Sequence, residues 1–502
     1  MRIRRLWLAT TLAAGMGCLA AVAAFAAAHT TTSLVQVSAP SPYSSCPNPV
    51  AGNYLNAVVE PTVAANASGE AVAAWQQDRW GDPNEGGAHG FAGAASTDGG
   101  ATWGTPNSAT FTSCSGGTAA NNGNWDRASD PWLTIAPNGD AYQIALVFNW
   151  FNGRSGITVS KSTNGGSTWG TPTVIDNNTN HSFTMGDDKE AITADPTRPG
   201  YVYAVWDKYS NQKAQFNDHG FGANSSKGPS LFSRTTDGGK TWSAPQAIYT
   251  RNDGTLGNQI VVLPNGTLLD FFVDFVVKAG KNAQVFNAYV SFVKSTDAGK
   301  TWSKTATVVD PTPISCTGSQ DPNNPGVYVR DGCELFSVAV DPATGNLYAV
   351  WQDNRFSGGQ VDQVAFTKST DGGATWSAPV KVSQTPASGP IIDQQAFTPT
   401  VAVASGGTVG VTYYDNRNKR SSSNNSTDYW GITSTDAGAT WTETRLTDSS
   451  FDISNGPSSG GCCFLGDYQA LAAVGSQFLA VFVVGDNATS GVTHTEARRF
   501  GP

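Results

Sequence analysis

The chain has 502 residues, 55 of them glycine, with 10% aromatic and only 14% charged residues. A net charge of −9 and the lack of any lysine- or arginine-rich run argue against nucleic acid as a partner. Helical periodicity is nowhere sustained, so the short apolar stretches between glycine turns predict an all-β protein.

Arg2, Arg4 and Arg5 precede an apolar, alanine-rich run over residues 6–28, the pattern of a secretory signal peptide ending before His29. Residues 1–28 are therefore expected to be removed on export, leaving 29–502 as one domain. Arg4-Arg5 weakly resembles a twin-arginine signal, and Gly15-Met16-Gly17-Cys18 is a poor lipobox. The expected location is secreted or extracytoplasmic. No later apolar stretch reaches the roughly 20 residues that span a membrane. Beyond Cys18 six cysteines remain, an even number that suits an oxidising compartment. Cys316 and Cys333 flank one loop and form the expected pair. Cys462 and Cys463 either join each other or reach separately to Cys46 and Cys114. No histidine stands at ligand spacing from them, so neither metal nor cofactor is expected.

Two repeats run through the mature chain. In the first, an apolar strand, a glycine turn and a second apolar strand recur, with first strands at Glu60, Asp130, Glu190, Asn258, Glu334, Thr398 and Tyr468. The second is the octapeptide S/T-x-D/N-x-G-x-T-W at 96–103, 162–169, 235–242, 295–302, 369–376 and 434–441. Its short polar side chain bonds the local backbone while glycine takes positive φ, which makes a hairpin turn. The strand pair occurs seven times and the octapeptide six. The last unit has a third strand at 491–499 and then ends, so its fourth strand must come from elsewhere. Residues 33–38, Ser-Leu-Val-Gln-Val-Ser, resemble an outer strand and are expected to pair there. The prediction is a β-propeller of seven four-stranded blades closed by an N-terminal strand, with six blades as the alternative.

The octapeptide is the Asp-box or BNR motif, and six spaced copies resemble the sialidase superfamily of β-propellers. In that family the motif is structural and lies away from the chemistry. The resemblance implies a carbohydrate-active enzyme, but the catalytic match is partial. Sialidases usually open the first blade with Phe-Arg-Ile-Pro, where this chain has Val58-Val59-Glu60-Pro61 and no arginine. Their fourth-blade Val-Val-Glu-Leu corresponds to Val261-Val262-Leu263, without the glutamate. Tyr468-Gln469-Ala470-Leu471 resembles the Tyr-x-x-Leu that carries the sialidase nucleophile.

In a four-stranded blade, innermost strands begin on the face opposite the Asp boxes. That face therefore collects Glu60, Asp130, Asp188, Glu190, Asn258, Glu334, Asp467 and Tyr468, together with the loops after each second strand. Those loops carry Asp78-Arg79-Trp80, Asp353-Asn354-Arg355 and Asp415-Asn416-Arg417. Paired carboxylates serve glycoside hydrolysis as general acid and base or nucleophile. Glu60, Asp130, Glu190, Glu334, Asp467 and Tyr468 are the candidate catalytic residues. Arg79, Arg355 and Arg417 are candidates to bind an anionic sugar, and Trp80 to stack on a ring. The expected protein is a secreted, monomeric glycoside hydrolase acting on an anionic or complex glycan. A polysaccharide lyase with tyrosine as base, and a non-catalytic glycan- or protein-binding propeller, are the alternatives.

Overall fold

The computed structural model describes residues 29–48, 51–81, 86–178, 185–210, 216–217, 220–221, 228–250, 254–277, 286–419, 424–459 and 462–502. The expected signal peptide and the cysteine at position 18 lie outside them. The described chain is all-β, with four short 3-10 turns as its helical segments. Most strands belong to antiparallel sheets that run in sequence order, so neighbours in the chain are neighbours in the sheet.

The larger sheets are built from seven first strands, two of them in the seven-stranded sheet. These are Val58–Ala65, Arg127–Ile135, Met185–Ala194, Thr255–Val262, Phe336–Val340, Ala396–Val403 and Ala470–Val474. Each first strand packs beside the next, and Ala470–Val474 packs back against Val58–Ala65. The first two sheets join through one pairing, Ala88 with Ala128. In the last sheet Thr493–Gly501 receives the chain's beginning: Thr30 and Thr31 pair with Gly501 and Phe500, and Val35 and Gln36 with Ala497 and Glu496. Val37 N–H also donates to Thr495 O at 2.8 Å.

The core lies between sheets, because each sheet is covered on both faces. Such strands read as nearly continuous apolar runs rather than alternating ones. Leu268–Val277 shows the rule. Leu268 and Phe272 pack toward Tyr203, Val205 and Phe232 of the preceding sheet, while Leu269, Phe271 and Val273 pack toward Phe336, Leu347 and Trp351 of the following one. Trp75, Trp206 and Trp351, each on a second strand, are fully buried.

The Asp boxes fasten these layers. In the first, Ser96 Oγ donates to Asp98 Oδ1 at 2.8 Å and accepts from Gly100 N–H at 2.8 Å. Asp98 then accepts from the Thr102 N–H at 2.9 Å and hydroxyl at 2.6 Å. The same bonds recur at Asp237, Asp297, Asp371 and Asp436, and Asn164 substitutes its amide for the second oxygen. The fifth position must be glycine on two counts. Gly373 sits at φ 89°, and a Cβ there would meet the Phe292 ring at 2.8 Å. The closing indoles reach back to the preceding sheet, as Trp302 does to Phe232 and Trp441 to Phe366.

Three disulfides complete the frame: Cys46–Cys114, Cys316–Cys333 and the adjacent pair Cys462–Cys463. The open choice for Cys462 and Cys463 thus falls to each other.

Candidate functional site

Five of the seven first strands carry the same local irregularity. The ladder register shifts across Glu60-Pro61, Asp130-Pro131, Lys189-Glu190, Gly257-Asn258 and Thr398-Pro399. Proline is tolerated there because a bulge needs no ladder donor. The leading residue is left-handed in every case: Glu60 at φ 51°, Asp130 at 55°, Lys189 at 47°, Gly257 at 73° and Thr398 at 49°. For a residue with a Cβ that conformation costs roughly 1–3 kcal/mol, and it persists only where the surroundings enforce it. The bulge re-aims the side chain, so residues from different first strands meet in one cluster.

The meeting point is Lys189. Its Nζ lies 3.0 Å from Asp130 Oδ1, 2.8 Å from Asp467 Oδ2 and 3.5 Å from Glu60 Oε1. All four residues are buried, with 1–6% of their surface exposed. Asp467 is gripped a second time by Arg330, through Nε at 3.0 Å and Nη2 at 2.7 Å. Asp467 N–H donates to Glu60 Oε1 at 3.4 Å, and Gln76 Nε2 donates to Glu60 Oε2. Arg79 reaches Gln76 Oε1 at 2.7 Å and lies over the Phe464 ring, as Arg330 also does.

Burial and charge push these acids apart. Burial, aided by the negative charges of Asp130 and Asp467, raises Glu60 to about 8 despite Lys189. Burial acts the same way on Asp467, but Arg330 and Lys189 overcome it and hold that carboxyl far below the usual range. Asp130 is likewise held down against burial, by Lys189 and by a hydrogen bond with Glu60. One acid therefore keeps its proton at neutral pH beside two that do not. Burial, then Asp130, pushes Glu190 well above its ordinary value; its Oε1 accepts from Leu146 N–H and its Oε2 has no partner. Burial and Asp130 also raise Asp188, to about 7.

The other expected residues take different places. Tyr468 borders the cluster, with its ring edge-on to Trp132 at 5.5 Å and its hydroxyl donating to Pro131 O at 3.2 Å. Burial and the neighbouring acids push its phenol well up, which disfavours the tyrosinate needed by a nucleophile or base. Glu334 stands apart, raised to about 7 by burial alone. Trp80 is buried against Arg127 at 3.9 Å and His89 at 4.5 Å, so its faces are not offered to a sugar. Arg355 is held by Asp310 at 2.6 Å and Asp353 at 2.7 Å. Arg417 is held by Asp415 and by Glu443 at 2.6 Å, and lies on Trp430. The anticipated cluster of Arg79, Arg355 and Arg417 does not assemble, because Arg355 and Arg417 already neutralise acids close to their own loops.

Lys189, Arg330 and Gln76 were missed. Lys189 stands in the register of Glu60 and Asp130, within Asp187-Asp188-Lys189-Glu190, but no proline follows it to mark the bulge. Arg330 comes from the loop before the fifth first strand, which no repeat predicts.

Comparison with known proteins adds the following. The BNR repeat-like domain family matches residues 231–334. A xyloglucanase from Paenibacillus sp is 28% identical over 193 residues, 38% of this chain and 16% of that protein's own length. The Hadza microbial sialidase Hz136 aligns with a TM-score of 0.42 and 19% identity, over 74% of this chain and 65% of its own. The Penicillium chrysogenum alpha-L-arabinanase aligns with a TM-score of 0.47 and 12% identity, over 93% and 98%.

Proposed function

We propose that the chain is a BNR-repeat protein of the sialidase-like superfamily, in keeping with the repeat-like domain matched over residues 231–334, and that it is a secreted glycoside hydrolase acting at the ring axis. The observation that carries the reading is the opposed titration of Glu60 and Asp467 around one buried ammonium. Protonated Glu60, raised to about 8, is the general acid that protonates the leaving glycosidic oxygen. Ionised Asp467 faces the positive charge that develops on the sugar ring, and Asp130 shares that role. Lys189 and Arg330 position the carboxylates and keep them ionised. Trp132 and Tyr468 supply the aromatic wall. A lyase is disfavoured, because the Tyr468 phenol is pushed up and engaged with Pro131 O.

The fold reading belongs to the same proposal. Residues 29–502 form one propeller of seven blades, and residues 30–36 complete the last blade on Thr493–Gly501. Such closure removes an exposed sheet edge. Deleting residues 29–38 from the mature chain should lower Tm markedly; an unchanged Tm would dismiss the closing strand.

The test of function is a panel of polysaccharides and oligosaccharides incubated with the secreted protein, scored for new reducing ends. For any glycan cleaved, Glu60→Gln should reduce kcat at least ~10²-fold while substrate binding is retained. Wild-type turnover in that variant would remove Glu60 from the mechanism. One observation favours a second reading: the three carboxylates already bond Lys189 and Arg330. If a glycan binds at this face, is never cleaved, and loses binding in Trp132→Ala, the protein is a non-catalytic lectin-like propeller.

A further inference from the structure

Against the Glu60–Lys189 cluster lies a cavity of about 50 Å³, bordered among others by Lys189, Asp130, Trp132, Glu190, Asn258 and Tyr468. Its polar lining is lopsided. Glu190 Oε2 and Asn258 Oδ1 are buried acceptors without a partner, on residues only 2% and 1% exposed. The donors nearby are engaged. Asn258 Nδ2 bonds Asp207 at 2.6 Å, and Asp207 also accepts from Thr255 and Gly257, so the Asn258 oxygen is the end left over. Lys189 serves three carboxylates, and the lining glutamines 259, 352 and 469 each spend at least one N–H on a protein acceptor other than these two. Two orphaned acceptors suit a group that only donates, and Glu190, which burial holds neutral while its Oε2 has no partner, can yield its proton to water when that group brings a positive charge.

Resting on the glycan-hydrolase reading, we propose that this cavity is a subsite for the protonated amine of an amino-sugar residue, received by Glu190 and Asn258. The size fits. About 50 Å³ holds an ammonium group and a water or two but no pyranose ring, so the ring stays at the mouth against Trp132 and Tyr468. Their ring faces also attract a cation. A divalent metal is a poorer match, because it draws its ligands to one point. Among the described residues, the sole group of three acids, cysteines or histidines in mutual reach is Cys316, Cys333 and Asp362, and its cysteines form a disulfide. An ammonium has three separately directed hydrogens and accepts wider spacing. The same subsite replaces the anionic-sugar expectation, since Arg355 and Arg417 are held by acids elsewhere.

The experiment titrates the full secreted chain, at matched ionic strength and pH 6, with methylammonium chloride, glucosamine, glucose, N-acetylglucosamine and calcium chloride. Binding is read by calorimetry and thermal shift. Methylammonium and glucosamine should bind saturably, while glucose and N-acetylglucosamine, which lack the charge, should not. Glu190→Gln, close to isosteric, should weaken glucosamine at least about tenfold with its circular dichroism spectrum unchanged. Glucosamine binding no better than glucose overturns the subsite. Calcium binding that depends on Glu190 overturns it in favour of a metal, and methylammonium binding without glucosamine overturns the sugar as its source. The two readings fail separately. Glucosamine held through Glu190 with no glycan ever cleaved sinks the hydrolase alone; Glu60-dependent cleavage of a neutral glycan with no glucosamine binding sinks the subsite alone.

Discussion

Two devices repeat around this molecule, and they repeat in different ways. At the Asp-box turns the residues recur: serine or threonine, aspartate or asparagine, glycine, threonine, tryptophan, with nearly identical bonds at every copy. At the first-strand bulges the backbone recurs while the residues diverge, through glutamate, aspartate, lysine, glycine and threonine. A turn that closes its own hairpin and rests on the sheet before it is under the same demand in each copy. A bulge that aims into a shared axis meets a different neighbour from each direction, so one backbone carries a heterogeneous set of charges. Sameness marks folding here, and variation on a constant backbone marks the candidate site.

The contrast breaks most easily at Lys189. Replacing it by methionine leaves Glu60, Asp130 and Asp467 facing one another without their common counter-ion, and breaking a buried ion pair by removing one partner costs about 3–5 kcal/mol. Urea unfolding of Lys189→Met should show a loss of that size. A loss under about 1 kcal/mol would mean that water already screens the axis.

Acid and alkali should separate the two regions. An acid raised in the folded state contributes stability that is present below its unfolded value and lost as pH climbs through the folded one. Glu60, at about 8, and Asp207 and Asp362, both at about 7, are raised chiefly by burial. Their contribution therefore declines from about pH 4 to pH 8. The Asp-box acids run the other way. Asp98, Asp237, Asp297 and Asp371 fall to about 2, chiefly through the hydroxyl of the following threonine, so their contribution is lost as pH drops below about 4. Scanning calorimetry should find the highest Tm near pH 4–5. Glu60→Gln should flatten the alkaline side and leave the acid side alone. A maximum at pH 7 or above would contradict the burial of these carboxyls.

The same contrast explains what the sequence made legible. Strand pairs, box turns and buried tryptophans could be located because each obeys a local rule: apolar runs, glycine at positive φ, an indole closing a turn. Glu60, Asp130 and Asp467 could be found because acids opening apolar strands stand out. Lys189 could not, since its role comes from residues 59 and 278 positions away in the chain, Asp130 and Asp467. Arg355 and Arg417 misled for the converse reason. A repeated Asp-Asn-Arg looked like a site, and its repetition was the sign that each copy closes a local ion pair.

The finest test sits within one Asp box. Gly373→Ala forces a left-handed alanine and drives its Cβ into the Phe292 ring, so it should destabilise by roughly 1–3 kcal/mol. Asp371→Ala removes only exposed, local bonds to Thr375 and Ser369, while backbone and interlayer packing persist. Its Tm should fall less than that of Gly373→Ala, and kcat on any cleaved glycan should stay within about twofold of wild type, as surface changes remote from chemistry usually leave it. The order matters more than either value. If Asp371→Ala proved the more damaging, the turn's own hydrogen bonds, rather than the glycine that lets one sheet rest on the next, would hold the layers together. If it lowered kcat with Tm intact, the chemistry would lie on the Asp-box face, and the bulges at the axis would be the structural device.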